Sequence, residues 1–354
     1  MTTGRITNQE ALALAASDIL ALDGAGMATL LEVGTPSCRK RLNAMLAAWH
    51  PDRNADPAAG DVLRVLLEWK SRSALAPAAP DIAEPATCER VFHLTGGSAR
   101  RVRVLSQRHA HAGDILVTPG TVARVFAAEN VHLAGVGECF VSALPFADDR
   151  MRKDLAPALP QLLSILPLEG GDRLEIYRRP QGSILLQDLL EHGARTGRCF
   201  APQDLAWVVS GLMSIAEWLD WAGQAHGCID ATSVFVNPET QAVALLGGWE
   251  FSVPFGHKPS ALPKRTLELL PQMQLGGRAD GRIALKQIQA LGRDLLGFDA
   301  GGAALPEPVQ RWLSWPRTGE VQRDHAGWIA ATEEAWGPHK LLALGVSERD
   351  VYRH

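Results

Sequence analysis

The stretch from His226 to Phe251 reads HGCIDATSVFVNPETQAVALLGGWEF, two apolar runs about Asn237-Pro238 that close on the pair Gly247-Gly248. Short runs rich in Val, Phe and Ala, parted by an Asn-Pro turn signal, read as two strands of a hairpin. Upstream, Gln203 to Trp221 repeats Leu205, Val208, Leu212, Ile215 and Leu219 at helical spacing, so a long helix with an apolar face leads into the loop at His226. Farther back, Arg90 to Leu94 and Arg101 to Leu105 are strand-like runs separated by Gly96-Gly97, and Ile115 to Thr118 and Thr121 to Phe126 flank Pro119-Gly120. Leu174 to Arg178 adds a strand, and helical patterns dominate thereafter. A sheet followed by helices is an α+β order compatible with two lobes.

Helix, loop and hairpin in this order resemble the catalytic-loop region of the protein-kinase family. There a long helix leads into a loop with His, then Asp two residues on and Asn seven on, and a hairpin ending in Asp-Phe-Gly. His226 holds the first position. The resemblance implies that the catalytic base falls on Cys228, the magnesium-binding Asn on Ser233, and Asp-Phe-Gly on Gly247-Gly248-Trp249. It also places Arg124, in the strand TVARVF, where the family has its ATP-binding Lys, and Gly113, in the loop AHAGD, as the one glycine kept from the cover over the phosphates. The helix glutamate of the family falls near Asp154 in RMRKDLAPAL.

Phosphoryl transfer relies on positioning and on metal ions that neutralise developing charge, so loss of the metal ligands leaves little to hold Mg²⁺. A guanidinium does not simply replace an ammonium at a crowded phosphate site. The expectation is a degenerate site at Gly113, Arg124, His226, Cys228, Asp230, Ser233 and Gly247, with no catalytic residue, no metal and no cofactor; ATP is the ligand to test. Asp230, two residues after Cys228, could approach a hydroxyl, and Glu250 could reach a metal. The plainer reading has Asp230 capping the loop and Glu250 facing solvent, and Cys228 as a small buried apolar residue. RTLELLP, from Arg265 to Pro271, lies where the family has Ala-Pro-Glu, and IQALGRDLLG resembles the helix that follows, with Gln287 in place of its usual Asp. Trp312, Trp315, Trp328 and Trp336 read as core. The resemblance spans about Cys88 to Pro338.

A second signal stands near the N-terminus, where His50-Pro51-Asp52 separates two amphipathic patterns. Ser37 can cap a helix that carries Arg39, Lys40 and Arg41 on its first turn and Leu42, Met45, Leu46 and Trp49 along one stripe. Pro51 ends that helix, and Pro57 suits the first turn of another with Val62, Val65, Leu66 and Trp69 at helical spacing. Two such helices read as an antiparallel hairpin. Met27 to Leu75, with MATLLEVG before the hairpin, resembles the J-domain of co-chaperones. That resemblance implies a loop, His50, Pro51 and Asp52, that triggers ATP hydrolysis by a seventy-kilodalton heat-shock chaperone, and a docking surface of Arg39, Lys40, Arg41 and Arg53. An extra Ala/Leu-rich stretch, Glu10 to Leu22, departs from the family.

Composition bounds the rest. With 354 residues, 46% apolar and 21% charged, the chain suits about two globular domains. A net charge of −4 argues against nucleic acid as the main partner. Cys38, Cys88, Cys139, Cys199 and Cys228 lie far apart, without Cys-x-x-Cys or zinc-finger spacing, as expected of reduced thiols. No charged-then-apolar leader and no membrane-length apolar run occurs, so a cytoplasmic protein without membrane contact is expected.

The expected fold is therefore multidomain: an all-α J-like hairpin over 1–74, a Pro/Ala-rich linker over 75–87, and an α+β two-lobed kinase-like domain with lobes over 88–180 and 181–354. The expected function is a non-catalytic co-chaperone or adaptor whose J-like module recruits the heat-shock ATPase while the pseudokinase binds a client. A structural scaffold with neither activity, and an atypical nucleotide-dependent transferase, are the alternatives; nucleotide-dependent stabilisation separates the latter.

Overall fold

The computed structural model describes residues 14–22, 26–27, 30–31, 38–49, 54, 56–74, 88–198, 200–298, 305–314, 318–338 and 344–352. They fall into two compact units, which part between the described segments 14–74 and 88–352. The linker expected over 75–87 lies outside the described residues.

The first unit is helical, with α1 at Ala16–Leu20, α2 at Cys38–Ala48 and α3 at Ala59–Ala74. Its core collects Ile19, Met27, Leu30, Leu31, Leu42, Met45, Trp49, Val62 and Leu66, all buried, as the helical spacing of α2 and α3 requires. The extra Ala/Leu stretch is thus part of this core, through Ala16 and Ile19. Asn54 links the helices: Nδ2 donates to the Ala48 carbonyl at 3.1 Å, and Oδ1 accepts the Asp56 N–H at 3.0 Å. Asp56 in turn accepts the Ala58 N–H at 2.9 Å, so α3 starts two residues past Pro57 under an Asp cap. Arg41 corrects one expectation. It is 4% exposed and donates from Nη1 to the Leu30 carbonyl at 3.0 Å, so it braces the unit's interior instead of lying on an outer cationic face. His50, Pro51, Asp52 and Arg53 lie outside the described residues, as do the side chains of Arg39 and Lys40.

In the second unit, β1 (Cys88–His93) and β2 (Ala99–Val104) pair antiparallel, with Phe92 opposite Arg100. They form a separate two-stranded layer and do not begin the main sheet. That sheet contains β3 (Ser106–His109), β4 (Asp114–Val117), β5 (Thr121–Phe126), β6 (Leu162–Pro167) and β7 (Arg173–Arg178) in the antiparallel order β3-β4-β5-β7-β6. Strands β3 and β6 carry no strong apolar alternation and were not among the expected strands. Between β5 and β6 lie helices α4 (Val131–Ser142) and α5 (Asp149–Leu155). The pleat sends Leu116 to a small core with Phe92, Val104, Leu174 and Ile176, and its neighbours Ile115 and Val117 to the large core shared with the helical lobe.

The helical lobe opens with a short strand, β8 (Ile184–Leu185), and α6 (Leu186–Thr196), then the expected long helix, α7 (Pro202–Trp221). All five residues of its predicted face are at most 2% exposed. Trp207, Val209, Met213 and Trp218 are buried as well, so α7 is the central post of the lobe and not a surface helix. After the short strand β9 (Gln224–Ala225) and the 226–233 loop come β10 (Val234–Asn237) and β11 (Ala242–Leu245), paired with Val236 opposite Val243. Strand β12 (Val253–Pro254) pairs with β9, and helices α8 (Lys264–Leu269), α9 (Pro271–Gln274), α10 (Arg282–Leu296), α11 (Glu307–Ser314), α12 (Val321–Trp336) and α13 (Glu348–Tyr352) complete the lobe. Trp312 and Trp328 pack 4.8 Å apart in the core, as expected; Trp336 packs at its edge, and Trp315 lies outside the described residues. No described helix is long and apolar enough to cross a membrane.

Candidate functional site

The groove between the lobes lies where the β3–β4 loop, β5, α4, the 226–233 loop and the segment after β11 converge. Gly113 closes the β3–β4 loop against β5: a Cβ there would stand 2.1 Å from the Val125 carbonyl oxygen, so only glycine allows the approach. The loop does not arch over an open space. Ala112 is 1% exposed and packs with Phe126, Leu133, Cys228 and Phe251, which fill the region beneath it.

Arg124, on β5, meets Glu250 in a two-pronged ion pair with both N···O distances at 2.5 Å, and the two side chains are 3% and 2% exposed. Burial alone would lower the Arg124 pKa, but the adjoining carboxylate holds it above its ordinary value. Glu250 is therefore not solvent-facing; it occupies Arg124 fully on the two terminal nitrogens. The short 3-10 turn Trp249–Phe251 positions it, and α4 packs on that turn closely enough that a Cβ at Gly137 would lie 3.1 Å from the Glu250 nitrogen. The helix that packs against the Glu250 turn is α4, not the segment around Asp154. Glu138 of α4 reaches Arg173 at 2.7 Å, whereas Asp154 is on exposed α5 with Arg150 at 4.0 Å. The alternating glycines and β-branched residues of α4 obscured it in the sequence, because they suit neither an amphipathic stripe nor high helix propensity.

The 226–233 loop is held from within. Asp230 Oδ1 accepts from the Thr232 N–H at 2.8 Å and hydroxyl at 2.6 Å, the capping role expected of it. Ser233 accepts the Asp230 N–H at 2.9 Å and donates to the Asp230 carbonyl at 3.0 Å, so its hydroxyl serves the turn. Asp230 Oδ2 also bonds His111 Nε2, from the β3–β4 loop, at 2.8 Å, a contact with no local mark in the sequence. This hydrogen bond raises the His111 pKa; burial pushes Asp230 up, but the hydrogen bonds from His111 and Thr232 and the charge of His111 together hold it below its ordinary value. Burial pushes the Cys228 thiol well up, so at neutral pH it is a protonated, buried group, as expected. Gln287 also holds the loop: its Nε2 donates to Thr266 Oγ1 at 2.8 Å, and Thr266 donates to the Gly227 carbonyl at 2.9 Å, anchoring the loop from α10 through α8.

Gly247 carries no ligand, and a Cβ there would meet Ser233 Cα at 3.1 Å. Gly248 has φ +85°, with Cys228 O 2.7 Å and His226 Cε1 2.8 Å from a virtual Cβ. Both glycines let Trp249 turn inward, where its Nε1 donates to the Leu245 carbonyl at 2.9 Å and its ring stands edge-on to His226 at 4.8 Å. Burial depresses the pKa of His226 to about 3. Unfolded histidine takes up a proton below about 6.5, so between these values the unfolded state binds more protons. Stability contributed by His226 is therefore full above pH 6.5 and is lost as pH falls toward 3. His226→Phe is expected to flatten that acid slope by up to about 1.4 kcal/mol per pH unit, measured by urea unfolding across pH 4 to 7; an unchanged slope would exclude His226 as its source.

A second set of contacts ties the lobes at the other end of the groove. Arg108 of β3 reaches Asp188 and Glu191 of α6, each at 2.6 Å, and Ser106 donates to Asp188 at 3.0 Å. Arg179, in the connection between lobes, donates from Nε to the Thr118 carbonyl at 3.1 Å and pairs with Glu348 of α13. Neither α13 nor its partners were legible in the sequence.

Five antiparallel strands in the order first-second-third-fifth-fourth, two helices between the third and fourth, and a helical lobe with loop and hairpin beneath the groove make this a two-lobed, kinase-like fold. No family model and no curated protein matches the chain. Among solved structures, vaccinia related kinase 3 is similar with a TM-score of 0.48 at 14% identity, over 76% of this chain and 95% of that one.

Proposed function

We propose that this chain is a non-catalytic adaptor, in which the kinase-like unit binds a client or partner protein and the J-like unit recruits a heat-shock 70-kDa-type ATPase. The observation that carries the first half is the buried Arg124–Glu250 pair. It neutralises the cation that would meet the phosphates of a nucleotide, over a loop whose Ala112 packs into the same space. Cys228, Ser233 and Gly247 supply neither a general base nor a carboxylate or amide for Mg²⁺. The second half is supported by His50-Pro51-Asp52 between amphipathic helices and by an N-terminal unit with its own helical core. Tethering a client beside the ATPase would raise its effective concentration, so weak client binding suffices.

The test has two arms on the full chain. ATP with Mg²⁺ or Mn²⁺ is expected to leave the melting temperature unchanged, whereas a nucleotide bound only to the native state would raise it and favour a transferase. In a steady-state assay, wild type is expected to stimulate the chaperone's ATP hydrolysis and His50→Gln to abolish that stimulation. Equal rates with both proteins would remove the co-chaperone role and leave a scaffold.

A further inference from the structure

His111, Cys228 and Asp230 come from the two lobes, and one ligating atom of each lies within 4.8 Å of the others. Two of the three distances converge on one atom: Asp230 Oδ2 stands 2.8 Å from His111 Nε2 and 3.7 Å from Cys228 Sγ. Ligands about 2.0–2.3 Å from a tetrahedral zinc ion are separated from each other by about 3.3–3.8 Å. The Cys228–Asp230 separation already fits, and the His111–Asp230 hydrogen bond needs to open by roughly half an ångström to admit an ion.

We infer that these three residues form a binding site for a zinc-class divalent metal, which joins the β3–β4 loop to the 226–233 loop at the mouth of the groove. The chemistry of the donors selects the ion. A thiolate and an imidazole suit Zn²⁺ or Co²⁺, while Mg²⁺ and Ca²⁺ demand oxygen ligands. Binding breaks the Cys228 S–H bond and releases its proton to solvent, the neutral His111 ring coordinates through Nε2, and no electron changes hands. The centre is then neutral, since one thiolate and one carboxylate balance the ion, which suits a place where Cys228 is 3% exposed.

The surroundings are those of a held site. Thr232 fixes Asp230 through Oδ1 with two hydrogen bonds and leaves Oδ2 for the metal, the outer-shell support that ligating carboxylates use. The edge-on contact of His111 with Phe251, at 6.3 Å, orients its ring. The His111 side chain is 34% exposed, which gives an ion a route from solvent, and three protein ligands leave a fourth position for water or a partner's side chain. Arg124 presents little net charge to the ion because Glu250 already pairs with it.

The test is Co²⁺ titration of the full chain, followed by its thiolate-to-metal absorption band, with Zn²⁺ competing for the same site. One equivalent is expected to bind and Zn²⁺ to displace it. The band should vanish in Cys228→Ser and persist in a variant with Cys38, Cys88, Cys139 and Cys199 replaced by Ser. Loss of even an outer-shell partner weakens metal sites about 10–100-fold, so His111→Gln, on a part-exposed loop, is expected to weaken binding at least about 100-fold. No band in wild type, a band that survives Cys228→Ser, or wild-type affinity in a folded His111→Gln variant would each overturn the site. Nucleotide stabilisation, the test of the adaptor reading, is read separately.

Discussion

Arg124→Ala is expected to destabilise the kinase-like unit by about 3–5 kcal/mol, the cost of leaving one member of a buried ion pair without its partner. Glu250 is 2% exposed, and with the guanidinium gone its carboxylate would face Phe126, Phe251 and Ala112 instead of water. The loss should lower the second unit's melting temperature by about 6–20 °C, at about 2–4 °C per kcal/mol for a body of this size. A double variant, Arg124→Met with Glu250→Leu, removes both charges and keeps volume, and buried pairs replaced in this way are often near neutral. It should therefore recover most of the loss. Chemical unfolding of wild type, both single variants and the double variant forms a cycle that isolates the pair. Single variants within about 1 kcal/mol of wild type would mean that solvent reaches the pair and that it does not lock the groove.

Tyr352→Ala is expected to cost a similar amount, about 3–5 kcal/mol, as for other large aromatic truncations. The ring is 2% exposed and lies 5.7 Å from the Arg179 guanidinium. Its hydroxyl accepts the Leu185 N–H at 3.0 Å and lies beside buried Asp188. Tyr352→Phe keeps the packing and strands those polar groups, so its cost should fall to about 1–3 kcal/mol. The ordering of the two variants is the decisive result. If Phe proved as harmful as Ala, the hydroxyl network would dominate over packing; if both were silent, α13 would add nothing to the connection between lobes.

Neither the burial of Glu250 nor the exposure of Asp154 is marked in the local sequence. Glu250 stands between Trp249 and Phe251, its own charge suggests exposure, and its partner is 126 residues away. The resemblance to the kinase family places its helix glutamate near Asp154, while the helix that packs on the Glu250 turn, α4, carries Gly135 and Gly137 and few polar residues. Its second glycine is needed for close approach to the turn at Glu250, a requirement set by the fold. His111 likewise sits in a loop whose sequence, AHAGD, announces a turn and nothing of Asp230 119 residues on.

What the sequence by itself determined was local and periodic. The apolar face of α7, the β10–β11 hairpin about Asn237-Pro238, the β1–β2 and β4–β5 turns at Gly96-Gly97 and Pro119-Gly120, and the helical core of the first unit all follow from spacings of two or about four residues and from turn chemistry. So does the absence of a carboxylate or amide at Ser233 and Gly247, whatever the fold does. Only the tertiary structure decided which charges meet. Arg124 with Glu250, His111 with Asp230, Arg108 with Asp188, and Arg179 with Glu348 all join distant parts of the chain. A charged side chain carries no periodic signature of its partner. Its burial is tolerated only once the packed fold brings the opposite charge or a hydrogen-bonding group within reach.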